Sequence, residues 1–297
     1  MLPPRARRVL AVFSAILLAG CNTVVMNPSG DIASQQAHLI IVSTILMLLI
    51  IIPVIVLTLF FAWRYRKGNT AARYEPDWDH STQLELVIWG APLLIIVALG
   101  LLTWINTHTL DPYRPLSRLD DKRPIPAETK PLNVEVVALD WKWLFIYPAQ
   151  GIATVNLLVM PAGVPVHFTL TSGSVMNAFF IPRLGSMIYT MNGMTTQLNL
   201  RADAAGVFRG QSSHFSGDGF SDMRFSVRAV PAAQFAAWIE AARGTGPVLD
   251  ANGYAALAKQ TTAPEPVTMR LLDTELFQKI VTRALPPGPG PVAERER

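Results

Sequence analysis

The chain has 297 residues and a single cysteine, Cys21. One thiol makes no internal disulfide, no CxxC redox pair and no metal centre that needs two thiolates from the same chain. Charge is scarce too. Asp, Glu, Lys and Arg make up 15% of the residues and hydrophobic residues 51%, whereas an ordinary soluble domain is about 25% charged. That balance argues against a wholly cytosolic globule. The 25 basic and 21 acidic residues leave a net charge of +4, and no basic block resembles a nucleic-acid-binding tract. No internal repeat is visible.

The N-terminus reads as a secretion signal over residues 1–20. Arg5, Arg7 and Arg8 form a basic start, and Val9 to Ala19 is an apolar run too short to cross a bilayer. It ends in Leu18-Ala19-Gly20-Cys21, which resembles the bacterial lipoprotein signal. That resemblance implies that Cys21 is acylated and becomes the new N-terminus. Acyl chains contribute about 0.8 kcal/mol per buried methylene, which would hold this end at a membrane.

Two longer apolar stretches follow the periplasmic segment 21–37. Residues 38–63 form the first expected transmembrane helix, with Pro53 inside it, and residues 84–105 the second. Trp63 and Trp104 stand at span ends, where indole rings favour the interface. No Lys or Arg separates Cys21 from the first span, whereas Arg64, Arg66, Lys67 and Arg73 follow it. The positive-inside rule then puts the loop 64–83 in the cytoplasm and both flanks in the periplasm. Arg114, Arg118, Lys122 and Arg123 in the linker 106–130 belong to a long translocated region, where charge counts less.

From residue 131 to 230 the hydrophobic period becomes two, the pattern of half-buried strands. Val166, Phe168 and Leu170 alternate with polar residues, as do Leu198 and Leu200, and Met223, Phe225, Val227 and Ala229. Short strands over about a hundred residues suggest an antiparallel sandwich. His167 falls on the polar side of its strand and reads as a surface residue, not a ligand. In the extension 231–285, helices are expected over Gln234–Arg243, Gly253–Lys259 and Leu271–Ala284. The Pro- and Gly-rich tail 286–297 reads as disordered.

Specific strings join this layout. They are Glu85-Leu86-Val87-Ile88-Trp89, Asp140-Trp141-Lys142-Trp143, Ser174-Val175-Met176-Asn177-Ala178-Phe179-Phe180-Ile181-Pro182, and Gly217-Asp218-Gly219-Phe220-Ser221-Asp222-Met223. The chain resembles subunit II of the cytochrome bo-type ubiquinol oxidases, within the haem–copper oxidase superfamily, over nearly everything from Cys21 to Ala284. The resemblance implies an α+β membrane protein of the bacterial inner membrane: a two-helix transmembrane hairpin, a periplasmic cupredoxin-like antiparallel β-sandwich and a C-terminal helical extension. It implies subunit I as the main partner, subunits III and IV beside it, and a proton-pumping complex that oxidises ubiquinol and reduces oxygen to water.

The close relative, subunit II of cytochrome c oxidase, holds the binuclear CuA centre. That centre takes two bridging cysteine thiolates, two histidines, a methionine and a backbone carbonyl. In the copper-bearing pattern a histidine stands where this chain has Asn177, and Cys-x-x-x-Cys-x-x-x-His-x-x-Met falls on Ser212, Ser216, Phe220 and Met223. Only the methionine is retained. Neutral serine hydroxyls cannot replace soft bridging thiolates, so no CuA and no cytochrome c docking is expected. His214 lies in the same loop but lacks a second strong ligand, and it reads as no metal site. The resemblance places quinol, both haems and CuB in subunit I, leaving this chain with no redox centre. Trp141 and Trp143 match the aromatic stretch that carries electrons in the copper-bearing relatives, and read here as packing residues. Glu85 has two readings: a carboxylate at the mouth of the proton-uptake K channel of subunit I, or an interfacial carboxylate reaching headgroups. Two rival functions also stand: a cytochrome c oxidase subunit with a degenerate copper site, and a stand-alone membrane lipoprotein scaffold.

Overall fold

The structure, a computed structural model, describes residues 23–73, 75–116, 125–126, 129–262 and 265–288. The signal-like segment, Cys21 and the tail from 289 onward lie outside them.

Two long helices come first, α1 (Asp31–Arg64) and α2 (Thr82–Thr109). At 1.5 Å per residue they reach about 51 and 42 Å, more than the roughly 30 Å of a bilayer's hydrocarbon. Within α1 only Ile32, Ala33 and Ala37 are buried by the rest of the chain, and within α2 no residue is. Leu49, Leu59, Leu94 and Trp104 are all more than half exposed. Such a surface belongs in lipid or against other helices.

α1 starts seven residues before the expected span, and this end of it docks on the outer domain: Ser186 N donates to Gln36 Oε1 at 3.1 Å, and Ser29 N, just ahead of the helix, donates to the Arg183 carbonyl at 2.7 Å. Gly185 makes the fit possible. Its φ is +97°, and a Cβ there would lie 2.6 Å from the Ala33 nitrogen. The far end of α2 is tied as well, since Asn199 N and Nδ2 both donate to the Pro112 carbonyl, at 3.2 and 3.1 Å.

The outer domain is a sandwich of two sheets. One runs in the order β11-β12-β3-β2-β1-β5-β8, and the other β4-β10-β9-β6-β7. The strands are β1 (Leu132–Leu139), β2 (Lys142–Tyr147), β3 (Ile152–Val155), β4 (Leu157–Pro161), β5 (Val166–Ser172), β6 (Asn177–Phe180), β7 (Met187–Thr190), β8 (Thr196–Leu200), β9 (Gly206–Ser212), β10 (Arg224–Val230), β11 (Val248–Leu249) and β12 (Val267–Leu271). Most ladders are antiparallel. Those of β1 with β5, β4 with β10, and β11 with β12 run parallel. The cupredoxin-like arrangement is thus mixed in direction, a feature of long-range pairing that local alternation does not encode.

The extension is more than helices. α3 (Ala232–Arg243) and α4 (Ala251–Leu257) lie close to their expected places. The expected helix over Leu271–Ala284 shrinks to α5 (Leu276–Val281), because residues 267–271 form β12 and pair with β3. Val267, Met269 and Leu271 show the alternation of a strand, and only the last two are buried.

Two cores result. Val134, Val136, Trp143, Phe145, Phe168, Phe179 and Phe225 fill the space between the sheets. Val137, Leu144, Ile146, Tyr254, Leu271, Phe277 and Ile280 lie on the outer face of the seven-stranded sheet, under the extension. β1 and β2 therefore bury both faces, which is why all six residues of β2 are buried and its period of two disappears.

Glu135 is the exception on that outer face. It is half-buried, its Oε2 has no hydrogen-bond partner among the described residues, and burial pushes its carboxyl up to about 7 from 4.5. Between those values the folded chain keeps a proton that the unfolded chain has released, so stability falls as pH rises from 4.5 to 7. Solvent screening of this partly exposed side chain keeps the loss below what the full shift would give. Glu135→Gln is expected to flatten this slope and raise the unfolding temperature of the outer domain above pH 7. A mutant that keeps the wild-type slope in thermal scans at pH 5 and 8 would assign the effect to another group.

Candidate functional site

The β1–β2 connection, the start of β6 and the segment from the end of β9 to the start of β10 converge at one end of the sandwich. Asn177 opens β6 and Ser212 closes β9, and both are buried. The Ser212 hydroxyl lies 3.1 Å from Asn177 Oδ1 and 3.2 Å from the His214 carbonyl. Asn177 Nδ2 donates to the Val175 carbonyl at 3.2 Å. Ser216 is buried with its hydroxyl 3.8 Å from the sulfur of the buried Met223, while Ser212 N donates to the Met223 carbonyl at 3.0 Å.

Four of the five positions singled out from the sequence are thus brought together, as neutral groups bonded to one another. The fifth, Phe220, is half-buried and packs edge-on against exposed Phe215, with ring centroids 5.7 Å apart. His214 turns its ring edge-on to Tyr189 at 5.8 Å. His167 is half-buried, with Nδ1 2.9 Å from Asn199 Oδ1, and so is tied into its sheet instead of standing free on the surface.

CuA chemistry requires two thiolates and two imidazoles around the metals. These five positions offer one amide, two hydroxyls, a phenyl ring and one thioether, and His214 adds a single imidazole, so the donors do not fit that centre. Among the described residues no group of three or more His, Cys, Asp or Glu side chains gathers anywhere.

Trp141 and Trp143 differ in kind. Trp143 is fully buried between the sheets, 5.2 Å from Phe179 and 5.7 Å from Phe225. Trp141 sits in the left-handed region, with φ 64°, at the tight β1–β2 turn. Its Nε1 donates to the Ser216 carbonyl at 3.0 Å, and its ring lies on Gly219, where a Cβ would come within 2.3 Å. The indole thus ties the loop between β9 and β10 to the β1–β2 turn.

Behind it lies a polar network that the sequence reading missed. Lys142 is buried, and its Nζ donates to the Lys259 carbonyl at 2.6 Å and to Thr261 Oγ1 at 2.5 Å. Burial lowers its ammonium to about 8, opposed by neighbouring Asp140. Asp140 in turn accepts from Ser174 Oγ and from Gln260 Nε2. Only the lysine between two tryptophans hints at this, and its partners are more than a hundred residues away.

Glu85 is far from this loop along the chain. It lies in the first turn of α2, where the helix dipole favours a carboxylate, and its Oε1 is 2.9 Å from His80 Nδ1. Cys21 is not among the described residues.

A family model described as the cytochrome c oxidase subunit II periplasmic domain matches residues 132–230. Ubiquinol oxidase subunit 2 of Acetobacter aceti is 51% identical over 260 residues, covering 88% of this chain and 82% of the relative. Cytochrome bo(3) ubiquinol oxidase subunit 2 of Pseudomonas aeruginosa is 47% identical over 281 residues, covering 95% and 82%. The crystal structure of the periplasmic domain of Bradyrhizobium japonicum cytochrome oxidase subunit II (CoxB) aligns at 25% identity and a TM-score of 0.36, over 37% of this chain and 91% of that one. With sequence relatives of that identity along most of its length, the chain belongs to the ubiquinol oxidase subunit 2 family.

Proposed function

We propose that this chain serves its oxidase as a copper-free, non-catalytic subunit that no electron crosses. The observation that carries this reading is the closed loop of neutral donors at Asn177, Ser212, Ser216 and Met223. A soluble one-electron donor such as cytochrome c needs a metal relay at the outer surface. A quinol dissolves in the membrane and can reach a site in subunit I, where the haems and CuB would also lie. The hairpin then packs on subunit I, with subunits III and IV nearby, and the sandwich caps it from the periplasm. The bonds of Gln36, Ser29 and Asn199 to the sandwich and to the ends of α1 and α2 would keep that cap at a fixed angle.

In this reading both outer ends are periplasmic, the loop 64–83 is cytoplasmic, and an acylated Cys21 adds a second anchor. The complex pumps protons outward, and Glu85 lies at the cytoplasmic face near a proton-uptake path. Its Oε1 lies 2.9 Å from His80 Nδ1, so a second polar side chain stands beside the carboxylate at this end of the span, which supports the reading. Glu85→Ala is expected to lower turnover and pumping several-fold, and unchanged values of both would reject the role.

The experiment that tests the main reading is oxygen consumption by the purified complex with ubiquinol and reduced cytochrome c as alternative donors. Rapid turnover with ubiquinol alone is the expected result. Oxidation of cytochrome c would mean that a relay exists, and absence of both activities and of haem would leave a scaffold lipoprotein.

A further inference from the structure

Where α1 ends, its last turns and the loop beyond enclose a cavity of about 520 Å³ lined by Phe61, Tyr65, Arg73, Glu75 and Trp78. The lining is part aromatic and part charged. Phe61 belongs to the apolar end of α1, and its ring lies 6.2 Å from that of Tyr65, the residue at which the helix stops. Arg73 Nε sits 2.5 Å from Glu75 Oε1, and the Arg73 side chain is 87% exposed. One of five guanidinium donors thus offsets the carboxylate, and the terminal amino groups remain for a ligand. Arg64, Arg66 and Lys67 fall between the lining residues Phe61 and Arg73 in sequence, and Arg66 lies over the Trp63 ring at 5.3 Å.

We propose that this cavity binds the headgroup of an anionic phospholipid from the cytoplasmic leaflet, with the phosphate on Arg73 and the upper acyl chain along Phe61. The proposal rests on the membrane orientation given above. A guanidinium pairs with a phosphate through two parallel hydrogen bonds, which a compact ammonium cannot do. Indole and phenol rings favour the depth of the glycerol backbone. The side chains of Leu57 and Phe61 on α1 are about half exposed, which continues an apolar track toward the bilayer interior. Basic groups just cytoplasmic of a span attract acidic headgroups. Tyr65 and Trp78 could each donate to any anion, but the Phe61 ring and the faces of the other two present apolar surface that a free inorganic anion leaves unused, and so the lipid is the occupant that uses the whole site.

The test takes the complex that carries this chain, washed free of lipid and placed in phosphatidylcholine nanodiscs doped with phosphatidylglycerol, and counts retained lipids by native mass spectrometry. The wild type is expected to hold one phosphatidylglycerol more than Arg73→Gln, which should bind about five-fold more weakly. Arg73→Lys should fall between them, and Trp78→Ala should weaken retention without removing charge. Equal retention by wild type and Arg73→Gln, or equal retention of phosphatidylcholine, overturns the proposal. Displacement by millimolar inorganic phosphate would overturn the lipid as ligand. The readout counts lipid and not electrons, so it is independent of the donor experiment. Labelling of Thr70→Cys by an impermeant reagent in spheroplasts checks the orientation by itself. Protection agrees with a cytoplasmic loop, and labelling from outside overturns the leaflet assignment.

Discussion

A chain carrying Asn177→His, Ser212→Cys, Ser216→Cys and Phe220→His is expected to take up two copper atoms, where the wild-type loop takes up none. The four changes supply two thiolates and two imidazoles while Met223 stays in place. The present geometry favours the outcome. Ser212 already touches Asn177 at 3.1 Å, and Ser216 lies 3.8 Å from the Met223 sulfur, so the new ligands start within reach of a shared centre. Phe220 has the farthest to move, because its ring now packs against Phe215. Copper per chain and the electron paramagnetic resonance signal of a mixed-valence pair are the measurements. Asn177→His alone should bind no copper, since thiolates and not imidazoles bridge the metals. A well-folded quadruple variant without copper would mean that the loop differs from a copper site by more than its donors.

Trp143→Ala is expected to destabilise the outer domain by about 3–5 kcal/mol, the usual cost of emptying a large aromatic site in a packed core. A domain's whole stability is typically about 5–15 kcal/mol. Trp143 is fully buried and borders Phe179 and Phe225, which stack on each other at 5.2 Å. Trp143→Phe should keep most of the packing and recover much of the loss. The measurements are the unfolding temperature of the outer domain and the amount of assembled oxidase. If stability is unchanged while quinol turnover collapses, the indole is passing electrons and its role as a packing residue fails.

Strands whose one face is wet were readable in advance: in β5 and β10 the alternation of Val166, Phe168 and Leu170, and of Phe225, Val227 and Ala229, matches the buried positions. β2 shows no alternation because one core takes Trp143 and Phe145 while the other takes Leu144 and Ile146. β12 was hidden for a different reason. Five residues with an apolar flank fit a strand or a helix, and the pairing with β3 that decides between them spans more than a hundred residues of chain. The start of α1 was obscured by Ser34, Gln35 and Gln36, a polar run that looks like the end of a span; Gln36 binds the sandwich, while Gln35 bonds back to Asp31 within the first turn. The candidate loop was legible as a set of positions through the resemblance, since ligand spacing is written into sequence. How those positions are filled was not, because the Trp141 bond to Ser216 and the clasp of Lys142 on residues 259–261 depend on where distant loops land.

The place of β12 and α5 in the second core sets an order of events during biosynthesis. A ribosome releases the two long helices first and the first ten strands next, yet the seven-stranded sheet stays open at β3 until β12 has been made. Until the extension follows, Val137, Leu144 and Ile146 have no cover, and an uncovered apolar sheet with a free edge is prone to pair with other chains. The outer domain therefore reaches its finished form only when nearly the whole polypeptide has been delivered. A chain interrupted after Val230 would leave the membrane with an anchored but sticky half-sheet, a substrate for quality-control proteases and not a smaller working subunit.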